Sequence, residues 1–396
     1  MLISAIFIIF YTIPVCLIAI FQIRHIKMSN KVVILDSKDF NIAKNYAITT
    51  QYFHIFESIF SAILFVFWIN FGFYMLQEIC GVYSNGILND VIFVVSFLII
   101  NSILTLPLNA HKTLMIDRIF GFSKTTIKLY IIDTIKSFVL LIIFASILSY
   151  ALIYLINNYS NWWIFGFVLV FLIVVFINLI YPTIIAPLFN KFSPLENKDL
   201  ESKIINMMDS VGFRANGIFI MDASKRDSRL NAYFGGLGKS KRVVLFDTLL
   251  SKVTQNELLA ILGHELAHFK HKDLIKNIGI MAVVLFSLFF IAGNLPSFAF
   301  DGFQKTSSSV LCVLILISSL ISFYFLPIIN YFSRIAEYKA DEFGSNLTNK
   351  TDLGNALVKL INENKAFPYS HRIYVFFYMS HPPLLDRLKA LNYKFQ

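Results

Sequence analysis

His264-Glu265-Leu266-Ala267-His268 is the stretch that decides how this chain reads. Two histidines four residues apart leave the same face of a helix, so both imidazoles can converge on one cation. Glu265 leaves in another direction, yet stays close enough to take a proton from a water beside that cation. The flanks predict the helix. Thr254 and Glu257 have capping-box spacing, and the apolar Leu258, Leu259, Ile261 and Leu262 follow at once.

Around this motif the composition is not that of a soluble enzyme. Of 396 residues, 57% are hydrophobic, 15% are charged and 42 are Phe. Apolar runs of about 20 residues span the hydrocarbon core of a bilayer. Seven are predicted: Leu2–Ile23, Tyr52–Leu76, Val91–Leu108, Ser137–Ile156, Trp162–Ile185, Ile278–Phe298 and Val310–Tyr331. Gly293, Asn294 and Pro296 weaken the end of the sixth. The first run has no basic segment before it and no small-residue cleavage pattern, so it reads as a retained helix.

Basic residues set the expected orientation. The link after the first run carries Arg24, Lys27, Lys31, Lys38 and Lys44, and the link after the third carries Lys112, Arg118, Lys124, Lys128 and Lys136. Gln77–Asp90 and Asn157–Asn161 carry none, and the turn after the sixth has only Lys305. The positive-inside rule then places the N-terminus outside and the C-terminus in the cytosol. The net charge of +10 is explained by this topology, and no nucleic-acid partner is expected. Cys16, Cys80 and Cys312 give no pairing framework, and neither internal repeats nor low-complexity tracts occur.

The expected fold is therefore an all-α multi-pass membrane protein with a zincin-type helical catalytic region and a small β-hairpin. Residues 1–189 hold the first five membrane helices. Residues 190–277 form a cytosolic-side segment with the HExxH helix, 278–331 the last two membrane helices, and 332–396 a second polar segment. β-like runs at Ile218–Met221 and Val243–Phe246 flank a turn rich in glycine at Gly235, Gly236 and Gly238. Two histidines need a third ligand, commonly a carboxylate. Glu337 is the candidate, with Asp341 one turn later placed to accept the free N–H of a ligating histidine. By spacing alone, the same stretch also reads as a solvated acidic face partnered by Arg334 and Lys339.

The chain resembles the type 1 CAAX prenyl proteases, nearly end to end. The resemblance rests on His264–His268 and Glu337-Tyr338-Lys339-Ala340-Asp341, and on Ile116-Asp117 with Gly121-Phe122-Ser123-Lys124-Thr125-Thr126. It extends to Pro187-Leu188-Phe189-Asn190-Lys191-Phe192, Asn231-Ala232-Tyr233-Phe234-Gly235 and Ser380-His381-Pro382-Pro383. It implies seven tilted helices around an internal chamber, capped near the cytosolic face by one Zn2+ on His264, His268 and Glu337. It implies peptide-bond hydrolysis with Glu265 as general base and His381 on the oxyanion, with Arg387 a neighbour. It also implies an edge strand in which Asn231, Ala232 and Tyr233 line up a peptide or protein substrate, prenylated or membrane-bound. From the residues alone, Asn231–Gly235 also reads as a plain hairpin, and His381 equally as a capped surface residue.

Asp117 stands where many members carry Glu, and Gly235-Gly236 replaces a bulkier aromatic turn, which leaves substrate preference open. The C-terminal Asn392–Gln396 lacks a dilysine signal, and with the Ile/Lys/Asn/Phe-heavy composition this leans toward a bacterial inner membrane. Two rival readings stand beside the first: a quality-control membrane protease without prenyl recognition, and a non-catalytic metal-binding or transport protein. The second gains nothing from Glu265 between two ligands, and no paired half-helices are evident. The topology is tested by reporter fusions after Asp90 and after Lys128, which should land on opposite sides of the membrane. Both on one side would contradict it.

Overall fold

The apolar runs become helices, most of which extend beyond them at one end or both. The computed structural model describes residues 1–81, 86–236 and 241–394. Its first five membrane helices are α1 (Leu2–Met28), α2 (Ser37–Cys80), α3 (Ile87–Ile119), α4 (Ile127–Asn158) and α5 (Trp162–Phe189). A polar segment then forms β1 (Phe192–Pro194), α6 (Lys198–Ser210), β2 (Ile218–Met221), β3 (Ala232–Gly235), β4 (Arg242–Phe246) and α7 (Gln255–Lys270). The last two spans are α8 (Asp273–Gly293) and α9 (Ser307–Leu347). Three short helices close the chain: α10 (Lys350–Glu363), α11 (Arg372–Tyr378) and α12 (Leu384–Ala390).

All seven expected spans are present, and the chain is a multi-pass integral membrane protein. Their outer faces stay apolar because lipid replaces water there: Leu172, Phe176 and Ile184 on α5 are all more than half exposed. The sixth span stops at Gly293, five residues before the apolar run ends at Phe298. Asn294 closes the helix and Pro296 leads into a tight turn over Ser297–Phe300.

The sheet is larger than the expected hairpin. Four strands lie in the order β1-β2-β4-β3. The two runs read from sequence, β2 and β4, pair parallel, and the hairpin is β3 with β4. Gly236, with φ +89°, starts the turn of that hairpin, a conformation glycine adopts without a Cβ clash. Gly238 lies outside the described residues. β1 escaped notice because it is three residues long and ends in Pro194. In this order β3 is an edge, and it packs against α7.

The HExxH helix α7 begins as its sequence predicts. Thr254 Oγ1 accepts from the Glu257 amide at 3.3 Å, and the Glu257 carboxylate accepts from the Thr254 amide at 2.7 Å. Lys359 on α10 donates to the same carboxylate at 2.6 Å, tying the cap to the C-terminal helices. Leu258, Leu262 and Leu266 are fully packed beneath the sheet, each worth about 1.5–3 kcal/mol of burial.

The other face of α7 packs along α9, which runs on past its membrane portion to Leu347. The crossing is close because two glycines meet there. A Cβ on Gly344 would lie 2.6 Å from the His264 nitrogen and 2.8 Å from its Cα, whereas one on Gly263 would meet nothing nearer than 3.4 Å. Backbone atoms cannot step aside as a flexible side chain can. Gly344→Ala should therefore destabilise the protein by about 1–3 kcal/mol, an overpacking cost that outweighs the gain in helix propensity. Gly263→Ala should leave the thermal midpoint close to that of the parent. Equal midpoints for the two variants would contradict this packing account.

Candidate metal centre

Two turns before Gly344, α9 presents Glu337 to the histidine face of α7. Glu337 Oε2 lies 3.4 Å from His264 Nε2, and Oε1 lies 3.4 Å from His268 Nε2. Among the described residues, these three form the one group of at least three such side chains placed to share a cation, their ligand atoms lying within 4.8 Å of one another. Glu337 and Asp341 are only 4% and 1% exposed, so this stretch of α9 is not a solvated acidic face. Buried Glu337 Oε2 has no hydrogen-bond partner, a vacancy in its bonding that a cation would fill. Two imidazole nitrogens and a carboxylate are a donor set for a divalent metal with a position left open. The residues fit the group.

Each imidazole is held from behind by a carboxylate. His264 Nδ1 lies 2.9 Å from Asp341 Oδ1, bent away from ideal alignment, and His268 Nδ1 lies 3.0 Å from Asp273 Oδ2. Such contacts fix the tautomer, leaving both Nε2 atoms free to face the cation. Arg387, from α12, anchors the first pair: it donates through Nε and Nη2 to Asp341 at 2.7 and 2.6 Å, and its Nη1 lies 3.4 Å from Glu337. Lys276 does the same for Asp273 at 2.8 Å.

Asp273 is absent from the sequence expectation. Its signal was hidden because it lies five residues beyond His268 and past the end of α7, where helical spacing no longer applies. Lys272 reverses the chain there with φ +56°, the left-handed region that costs a non-glycine residue about 1–2 kcal/mol. This turn brings Asp273, the first residue of a membrane helix, back to His268.

Glu265 and His381 both line a cavity of ≈ 440 Å³ beside Glu337. Burial raises the Glu265 pKa above the usual carboxylate value, toward the range of a general base at neutral pH. His381 Nε2 is 3.4 Å from Glu337 Oε1, and its ring is exposed to this cavity. Its place is set by Arg334, which donates to the carbonyls of Val375 and Met379 at 2.9 and 2.8 Å. Arg334 therefore holds the loop that carries His381.

The edge strand lies over the same cleft. The Phe246 amide donates to the Asn231 carbonyl, so in this antiparallel pair Asn231, Tyr233 and Gly235 bond inward to β4. The main-chain groups of Ala232 and Phe234 point outward, as an incoming strand requires. Asn231 and Ala232 line the cavity. Tyr233 does not: its ring packs with Met221, Val244 and Phe246 on another face of the sheet. Phe234 is the position the sequence reading passed over, because strand alternation is visible in a sequence but the hydrogen-bonding phase is not.

Removing either carboxylate behind the histidines should weaken metal binding without unfolding the protein. Asp273→Asn and Asp341→Asn are each expected to lower metal affinity about 10–100-fold in a chelator competition. Affinity unchanged in Asp273→Asn would remove its role in holding His268.

Residues 194–394 match Peptidase family M48, and residues 22–191 match the family described as CAAX prenyl protease N-terminal, five membrane helices. Curated relatives include CAAX prenyl protease 1 homologues of Arabidopsis thaliana, 32% identical over 91% of this chain and 88% of the relative, and of Homo sapiens, 30% identical over 91% and 87%. The crystal structure of S. mikatae Ste24p superposes with a TM-score of 0.89 at 27% identity, covering 98% of both chains. With its HExxH helix, its buried His264–His268–Glu337 cluster and its seven spans, the chain belongs to peptidase family M48 as an integral-membrane metalloendopeptidase.

Proposed function

We propose that the chain is a zinc endopeptidase that trims prenylated C-terminal peptides at the cytosolic face of its membrane. The observation that carries this is Glu265 placed between His264 and His268, beside a cleft that also holds His381 and the outward-facing edge of β3. The names of the relatives, CAAX prenyl proteases, support the substrate class. The Lys and Arg distribution supports an outside N-terminus, with α7 and the end of α9 on the cytosolic side.

His264, His268 and Glu337 hold one Zn2+ in this reading, which supplies Lewis-acid activation of water and of the scissile carbonyl. The other residues do the rest. Ala232 and Phe234 pair with the substrate main chain, and Asn231 lies at the start of that edge. Glu265 takes the proton of the attacking water and returns it to the leaving amine. His381 donates to the oxyanion of the tetrahedral intermediate. Arg387 and Asp341 keep His264 and Glu337 in place while charge moves through the cleft.

The test is cleavage of a farnesylated CAAX peptide and its unprenylated twin by the purified full chain, with and without chelator. Cleavage should stop with chelator, and the farnesylated peptide should be preferred. Glu265→Gln should keep its zinc and fall to background, because an amide takes no proton. Glu337→Gln should lose zinc, and His381→Ala should keep zinc but lose about 10²–10³ in rate. An active Glu265→Gln protein would overturn the protease mechanism, and equal cleavage of the two peptides would favour the quality-control reading.

A further inference from the structure

A second cavity, of ≈ 310 Å³, opens on the other side of the metal centre. Glu265 lines both cavities, so they are two arms of one cleft that meet where the scissile bond must lie. β3 runs along both, with Asn231 and Ala232 in the first arm and Phe234 and Gly235 in the second. A peptide paired with β3 therefore has residues in each arm.

The arms differ in chemistry. The first is aliphatic, with His381 and Arg387 at its base. The second is aromatic: Phe213 stands edge-on to Phe234 and to Phe269, with ring centroids 5.1 and 4.6 Å away. Lys241 lays its ammonium 4.2 Å from the Phe269 ring centre and 5.2 Å from that of Phe213, a cation held against the aromatic wall. The far wall is Leu274 and Ile275, in the first turn of membrane helix α8 and 43% and 62% exposed. The arm thus connects His268 to the first turn of α8 along a mostly apolar wall in which Lys241 and Lys272 are the basic side chains.

We propose that this aromatic arm holds the long hydrocarbon chain of the substrate, an isoprenyl group on the residue beside the scissile bond. The inference rests on the prenyl-processing reading above and assigns that chain its place. Its volume falls at the lower end of ligand pockets, about 300–1,000 Å³, as suits one chain and not a whole lipid. A chain anchored in the bilayer slides past Ile275 and Leu274 and comes to rest against Phe269 and Phe234. Its attached backbone is then delivered to the edge of β3.

The test uses the full chain in detergent and three peptides of one sequence, with the cysteine S-farnesylated, S-decylated or free. Two variants change exposed wall residues: Leu274→Trp fills the arm and Ile275→Ser breaks its apolar mouth. Both should raise KM for the two S-alkylated peptides about tenfold or more, the scale at which a pocket senses hydrocarbon. Turnover of the free-cysteine peptide should stay within about twofold in both, which also shows that they fold. If the parent prefers the S-alkylated peptides and the variants keep that preference, the arm is not the chain site and the proposal falls alone. If the parent shows no preference, the prenyl-processing reading falls with it. Equal losses for all three peptides would show a general defect of the cleft, or a lipid blocking it, and would also overturn the proposal.

Discussion

The arrangement depends on one close crossing, where α7 lies against the extension of α9 beyond its membrane portion. Two candidate ligands come from one helix and the third from another, more than 60 residues away in sequence, so no local rule brings them together. Backbone contact at Gly344 sets the distance, with no room for a Cβ. Burying Glu337 and Asp341 in the same crossing is costly unless both are paired. Arg387 meets that requirement by bridging the two carboxylates, which makes α12 part of the site although it contributes no candidate ligand. Breaking a buried charge pair of this kind typically costs about 3–5 kcal/mol.

The site is also welded to the membrane portion. Asp341 lies on the helix that continues the seventh span, and Asp273 opens the sixth. Both histidines are thus oriented by residues whose helices are fixed in the bilayer. On the opposite side, the Gly121–Ser123 turn between α3 and α4 docks onto the chain leading to β3: Arg229 stacks over the Phe122 ring at 4.4 Å and lies 3.4 Å from Asp117. Lys124 adds a backbone bond to the Arg226 carbonyl at 2.9 Å. The edge strand is therefore held from the membrane helices as well as from its sheet, so chemistry and membrane embedding are one structure.

Much of this was legible in the sequence, and the limits have physical causes. The spans are encoded in apolar runs that lipid demands, and the start of α7 in the reciprocal bonds of Thr254 and Glu257. Both are local signals. Glu337 was named as the candidate third ligand, but spacing alone also allowed a solvated acidic face, since burial, which separates the two, is a tertiary property. Asp273 was invisible because a left-handed Lys272 breaks the helical register between it and His268. Tyr233 was placed at the cleft by position in a motif; in the structure its main-chain groups face β4 and its ring packs with Met221, Val244 and Phe246, neither of which residue type alone reveals. β1 was too short to carry a period.

X-ray absorption at the metal edge of the purified protein tests the central claim most directly, because it reports the ligands without relying on activity. The account predicts one zinc per chain with two imidazole nitrogens at about 2.0–2.1 Å and oxygen ligands at about 2.0–2.2 Å. Glu337→Ala should remove an oxygen from the shell of any zinc that remains while both imidazoles persist. A sulfur ligand at about 2.3 Å, or an unchanged shell in Glu337→Ala, would contradict the convergence of α7 and α9 on a single ion.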